Sequence, residues 1–240
     1  MAGLKDKYKK TFRLGQVIEE KFRYVIENDI GGVHSFRRAT EEEDINTRTD
    51  FVVDGNRVDV KGVRYIKRCD RRRSARSLII EITNINGKKV FDKDFTHYAF
   101  EIDEVSPAFV LVRKGAVKKF LADLYRDIMN KCGEVLFVDR RKEEFRRSLP
   151  KMFALYRRPT DYSICFVIPH NYALNKLIRE YGGVIVRAES MPFHLINMRL
   201  AAEEEIKFGC RKKGWVNPDE GEYWWRYKPD DYDEFSVELI

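Results

Sequence analysis

The chain has 240 residues, 43% of them hydrophobic and 35% charged, and carries a net charge of +7. That length supports an ample core in one large or two small domains, and the composition is too apolar for general disorder. With no run of 18 apolar residues and no signal-peptide pattern, the expectation is a soluble, cytoplasmic protein that does not enter a membrane.

Residues 4–29 carry Leu14, Val17, Ile18, Phe22, Val25 and Ile26 at spacings of three and four. This period predicts an amphipathic helix, stopped by Gly31-Gly32. Glu19 borders its buried face, and by itself would be an ordinary surface carboxylate. Residues 33–49 are polar, and the Thr40-Glu41-Glu42-Glu43 run predicts a loop holding one short capped helical turn. Asp44 is a candidate acid there, although a solvated or capping role is the usual one.

Residues 50–61, Asp-Phe-Val-Val-Asp-Gly-Asn-Arg-Val-Asp-Val-Lys, are the stretch around which the rest of the chain is organised. Asp54-Gly55 between two β-rich runs is a strong hairpin signal. Side chains alternate across a strand, so Asp59 and Lys61 share one face, roughly 7 Å apart. A two-residue loop places Asp50 opposite Asp59, and a three-residue loop slips that pair by one. Facing like charges destabilise a hairpin unless something neutralises them. A divalent cation would do so, since clustered hard oxygens suit Mg²⁺ or Mn²⁺. The neighbouring lysine suits a site where negative charge develops on a phosphoryl group.

Immediately downstream, Lys61, Arg64, Lys67, Arg68, Arg71, Arg72, Arg73 and Arg76 face only Asp70 across residues 61–76. The surplus equals the net charge of the whole chain. Such runs are usually solvated loops, but this one starts at the lysine of the candidate site, which favours a phosphate-binding surface.

Leu78–Thr83 then reads as a strand, Asn86-Gly87 as a turn, and residues 95–102 as a further strand with His97 partly buried in it. Glu81 would join the acidic face only if its strand lies beside that of Asp59; pairing with an arginine is the alternative. Another strand covers 108–112 and a helix covers 115–129. A short strand is expected at 134–138. The basic, aromatic-dotted stretch 140–158, broken by Pro150, reads as an amphipathic connector. Strands at 162–168 and 184–186 flank a helix at 170–181. The acidic, aromatic segment beyond residue 201 is expected to fold back on the chain or to meet a partner. The expected class is α/β (α+β), divided as a core over 1–130, added α/β elements over 131–200 and a C-terminal extension over 201–240.

Asp50 followed by Asp59-Val60-Lys61 on a hairpin, behind a helix bearing Gly15-x-x-x-Glu19, resembles the PD-(D/E)XK nuclease superfamily, and its Holliday-junction-resolvase branch in particular. With Gly62, Ile80-Glu81 and Tyr98-Ala99-Phe100-Glu101, the pattern looks like that of compact phage or plasmid nucleases. It spans roughly residues 12–112, and Thr49 stands where the family pattern has proline. The resemblance implies a restriction-endonuclease-like mixed central sheet flanked by helices. It implies Mg²⁺ or Mn²⁺ held by Asp50, Asp59, the Val60 carbonyl and Glu19. It also implies that Lys61 orients the attacking water or stabilises charge, and that DNA, double-stranded or branched rather than RNA, lies on Arg64, Lys67, Arg68, Arg71, Arg72, Arg73 and Arg76. Many such nucleases are homodimers. Two other readings stay open: a non-catalytic nucleic-acid-binding protein on the same fold, and an assembly protein acting through its aromatic tail.

Overall fold

The three-and-four spacing at the start of the chain becomes α1 (Ala2–Glu27) in a computed structural model that describes residues 2–33, 35–67, 74–83, 89–132, 153–157, 164–212 and 222–227. Next along the chain come β1 (Phe36–Arg38), α2 (Glu41–Thr47), β2 (Phe51–Val53), β3 (Asn56–Lys61), β4 (Arg64–Lys67) and β5 (Ser74–Thr83). They are followed by β6 (His97–Glu101), β7 (Ala108–Arg113), α3 (Lys114–Cys132), β8 (Phe153–Arg157) and β9 (Ile164–Pro169). The last are α4 (His170–Glu180), β10 (Val184–Arg187), α5 (Phe193–Lys212) and β11 (Glu222–Tyr227). The fold is mixed α/β, as the sequence predicts. No helix among the described residues is long and apolar enough to cross a membrane.

The chain builds two compact units and passes between them repeatedly. The first comprises Met1–Val63, Asp94–Lys114 and Gly183–Val216. Its six-stranded sheet has the order β1-β2-β3-β6-β7-β10, antiparallel throughout except that β3 and β6 run parallel. The apolar stripe of α1 lies on this sheet. Leu14, Val17, Ile18, Phe22, Val25 and Ile26 pack with Phe51, Val53, Val58, Val60, Ala99 and Phe109. The Phe22 ring meets Phe51 at 5.4 Å and Phe109 edge-on at 5.1 Å, the tilted geometries that aromatic pairs prefer. Alternation along β3 puts Val58 and Val60 into this core and leaves Asp59 and Lys61 on the opposite face. α5 runs beside α1 and adds Ala202 to the core.

The second unit comprises Arg64–Lys93, Gly115–Gly182 and Asn217–Ile240. Its five-stranded antiparallel sheet has the order β11-β8-β9-β5-β4, with α4 lying on β5 and β9. β8 occupies residues expected to form a connector, and its β-favouring Phe153 and Tyr156 outweigh the basic residues around it. β11, holding Tyr223, Trp224, Trp225 and Tyr227, pairs antiparallel with β8. Residues 222–227 of the aromatic C-terminal segment therefore fold back on the chain. α5 escapes periodicity because its apolar residues are scattered around the helix: Phe193 and Leu200 are exposed while Ala202 is buried. The turn expected at Asn86-Gly87 and the strand expected at 134–138 lie outside the described residues.

Candidate active site

The hairpin register is Phe51 opposite Val58, Val52 opposite Arg57 and Val53 opposite Asn56, so the loop has two residues. Asp54 and Gly55 have φ of 46° and 76°, the doubly positive pair of a type I′ turn. Asp54 tolerates this conformation because its Oδ1 accepts the Ser35 N–H at 2.7 Å. At Asp50 the regular ladder ends. Its N–H donates to the Val58 carbonyl at 2.8 Å, its own carbonyl accepts from Ala39 at 2.9 Å, and its carboxylate Oδ2 accepts the Val60 N–H at 2.6 Å. A side chain takes the place of a backbone acceptor and fixes Asp50 to the strand carrying Asp59.

Across the parallel β3–β6 pairing, Asp59 lies beside Tyr98 and Lys61 beside Phe100. Those rings are buried and stacked at 5.3 Å, and Phe95 meets Tyr98 edge-on at 4.8 Å. Asp59 is thus a carboxylate 3% exposed against an aromatic wall. Lys61 Nζ donates to its Oδ1. Its Oδ2 is buried with no hydrogen-bond partner, and Arg48 Nε approaches it to 3.9 Å. An unsatisfied buried carboxylate oxygen is costly and marks a place where a cation would be welcome.

The surrounding acids feel one another. Burial, then the Asp59 charge, push Asp50 up to about 8, against the pull of Lys61 and the Val60 N–H. Burial and Asp59 also raise Asp44 on α2. Glu19 is raised chiefly by burial, opposed by Arg38. Its carboxylate is held by Arg38, which also reaches Glu20 at 3.3 Å, and the Glu19 charge adds to the rise at Asp50. Among the described residues, no three His, Cys, Asp or Glu side chains converge as a ready-made metal cluster. In donor type, Asp50 and Asp59 nonetheless fit a hard divalent cation: the donors are carboxylate oxygens, one of them buried and unsatisfied.

Other candidates fall elsewhere. β3 is flanked by β2 and β6, whereas the strand of Glu81 pairs with β4 and β9, so the condition that would bring Glu81 to the acidic face is not met. Strand order depends on long-range pairing and is not written in local alternation. Arg64 starts β4 and Arg76 lies on β5, in a pairing that runs from Arg64–Ser77 to Lys67–Ser74. Arg68, Arg71, Arg72 and Arg73 lie outside the described residues.

Sequence reasoning missed a buried charge network. Glu101 is fully buried, and its Oε1 accepts from Lys21 Nζ and Arg199 Nε, both at 3.0 Å. Its Oε2 accepts from Arg199 Nη2 and the Val63 N–H, again at 3.0 Å. Arg199 Nη1 also donates to Glu203 at 3.1 Å and Nη2 to the Val63 carbonyl at 3.3 Å. Burial would raise the Glu101 carboxyl, but Lys21 and Arg199 together hold it below the usual range. Both backbone groups of Val63, two residues beyond Lys61, are therefore gripped by side chains. The sequence signals were slight: Glu101 closes the Tyr98–Glu101 run, and Lys21 falls at helical spacing from Val17, Ile18 and Val25 on the apolar face of α1.

Comparison with protein-family models, with curated proteins and with solved structures gave no match to this chain.

Proposed function

We propose that this protein is a metal-dependent nuclease of the PD-(D/E)XK type that hydrolyses phosphodiester bonds of DNA. The observation that carries the reading is the Asp59 carboxylate: buried, bridged to Lys61, unsatisfied at Oδ2, and tied through Val60 to Asp50. Asp50, Asp59 and the Val60 carbonyl would hold Mg²⁺ or Mn²⁺, with Glu19 joining once released from Arg38. A bound divalent ion lowers the pKa of its water and neutralises charge on the phosphoryl oxygens. Lys61 orients the attacking water or stabilises that charge. Water oxygen bonds to phosphorus, the P–O3′ bond breaks, and the water proton passes to the leaving 3′-oxygen, which yields a 5′-phosphate and a 3′-hydroxyl. The basic residues between Arg64 and Arg76 would hold backbone phosphates, contacts that position DNA without reading sequence. Under this reading the first unit is a restriction-endonuclease-like core.

The Glu19–Arg38 and Asp59–Lys61 pairs favour a second reading, in which the acidic face is structural and the protein only binds nucleic acid. The test is to incubate supercoiled, linear, single-stranded and branched DNA with Mg²⁺ or Mn²⁺. The expected outcome is cleavage by the wild type and a loss of roughly 100-fold or more in Asp59→Ala and Lys61→Ala. Binding without cleavage of any substrate by the wild type would establish the second reading instead.

A further inference from the structure

Arg48 closes α2 with φ 59° and ψ 42°, the left-handed region that a helix end normally gives to glycine. Of the two non-glycine residues at positive φ among those described, Asp54 belongs to its turn and Arg48 to the end of α2. The backbone around it is closely held. Thr40 and Glu43 form a capping box at the start of α2, and Glu43 is also clasped by both Nη atoms of Arg37 at 2.7 Å. At the far end the Arg48 N–H donates to the Asp44 carbonyl at 2.9 Å, and the hydroxyls of Thr47 and buried Thr49 meet at 2.7 Å. This arrangement brings the guanidinium to the Asp59 oxygen that lacks a hydrogen bond. At 3.9 Å the Nε–Oδ2 approach is too long for a hydrogen bond, so this contact is one of charge. The side chain keeps 23% of its surface open.

We propose that Arg48 is a substrate-contacting residue of this site, resting on the nuclease reading above. It covers Asp59 Oδ2 while neither a divalent cation nor nucleic acid is bound, and it takes a non-bridging oxygen of the scissile phosphate when DNA arrives. A guanidinium fork matches phosphate geometry better than an ammonium does, and Lys61 supplies only a point charge.

The left-handed backbone makes the test clean, because Arg48→Gly removes the side chain at a position where glycine is conformationally preferred. Thermal melting, binding of a short DNA duplex in EDTA over a salt series, and single-turnover cleavage in Mg²⁺ are compared for wild type, Arg48→Gly and Arg48→Lys. The expected results for Arg48→Gly are a melting temperature at or above wild type and a log K against log salt slope shallower by about one unit. Its cleavage should slow by roughly 100- to 1,000-fold. Arg48→Lys should keep the slope but regain only part of the rate. A wild-type slope in Arg48→Gly overturns the proposal. Should the glycine variant fail to fold, Arg48→Gln removes the charge without altering backbone preference as glycine does, and its slope decides in the same way. A wild type that cuts nothing defeats the nuclease reading, while the slope in EDTA still decides for or against Arg48.

Discussion

The Asp50 carboxylate accepts the Val60 backbone N–H at 2.6 Å, so the acid at the end of one strand is locked to the strand that carries Asp59 and Lys61. The lock places two carboxylates together in poor solvent, and burial with the Asp59 charge raises Asp50 to about 8. A carboxyl whose folded pKa is raised stabilises the fold fully at low pH and loses that contribution as pH climbs toward the folded value. The metal-free protein should therefore lose stability between about pH 4, the ordinary aspartate range, and pH 8. Asp50→Asn keeps an oxygen for the Val60 N–H and removes the charge. Its melting temperature in EDTA should exceed wild type at pH 8 and converge with it at pH 4; equal offsets at both values would contradict the shift.

A divalent cation should relieve the same repulsion. At a Mg²⁺ or Mn²⁺ concentration about 100 times Kd, stabilisation of about 2.7 kcal/mol is expected. For a chain of this size that is a rise of roughly 5–10 °C in melting temperature. Asp59→Ala should abolish the rise, and an unaltered rise would place the cation elsewhere. Differential scanning fluorimetry with and without EDTA reads both.

Glu101 balances two cations inside the first unit. Glu101→Gln preserves shape but leaves Lys21 and Arg199 buried without their shared carboxylate, and breaking a buried pair in this way costs about 3–5 kcal/mol. Urea unfolding should show that loss nearly independent of added salt, because buried charges are weakly screened.

Gly62 follows Lys61 at a close approach to α1. A Cβ there would overlap Ile18 Cδ1 and stand 2.9 Å from Ile18 Cγ1 and 3.1 Å from Glu101 Oε2. Ile18 is buried and has little room to yield. Gly62→Ala should destabilise by about 1–3 kcal/mol. Combined with Ile18→Ala, the total should fall short of the two single losses added together, since each change removes the other's cost. A double-mutant cycle by urea denaturation measures the difference.

Much of the hairpin was legible in the sequence because its rules are local. Asp54-Gly55 sets a two-residue turn, the turn sets the register, and alternation places Asp59 and Lys61 on one face. The capped turn at Thr40 was legible for the same reason. What escaped depends on distant partners. Local pattern leaves the partner of the Glu81 strand open, and that strand belongs to another sheet. Lys21 and Arg199 carry charges that composition assigns to the surface, yet they are buried because Glu101 meets both. Arg48 reads as any polar loop residue, and its approach to Asp59, on the far side of the Asp54-Gly55 turn, singles it out. The passage of the chain between two units, with β3 and β6 adjacent in one sheet though residues 62–96 separate them, has no signature in local pattern.

Val63 is the last residue of the first unit before the chain departs into β4, and its N–H and carbonyl are both held by the charge network. Along the backbone, that makes residue 63 a fixed mooring. Insertions, deletions or recoding in the arginine-rich segment beyond it reach Lys61 through the chain only by dragging a clamped peptide. Two jobs can then vary at separate rates. Changes after the mooring alter what that segment binds, while the hairpin before it keeps its geometry.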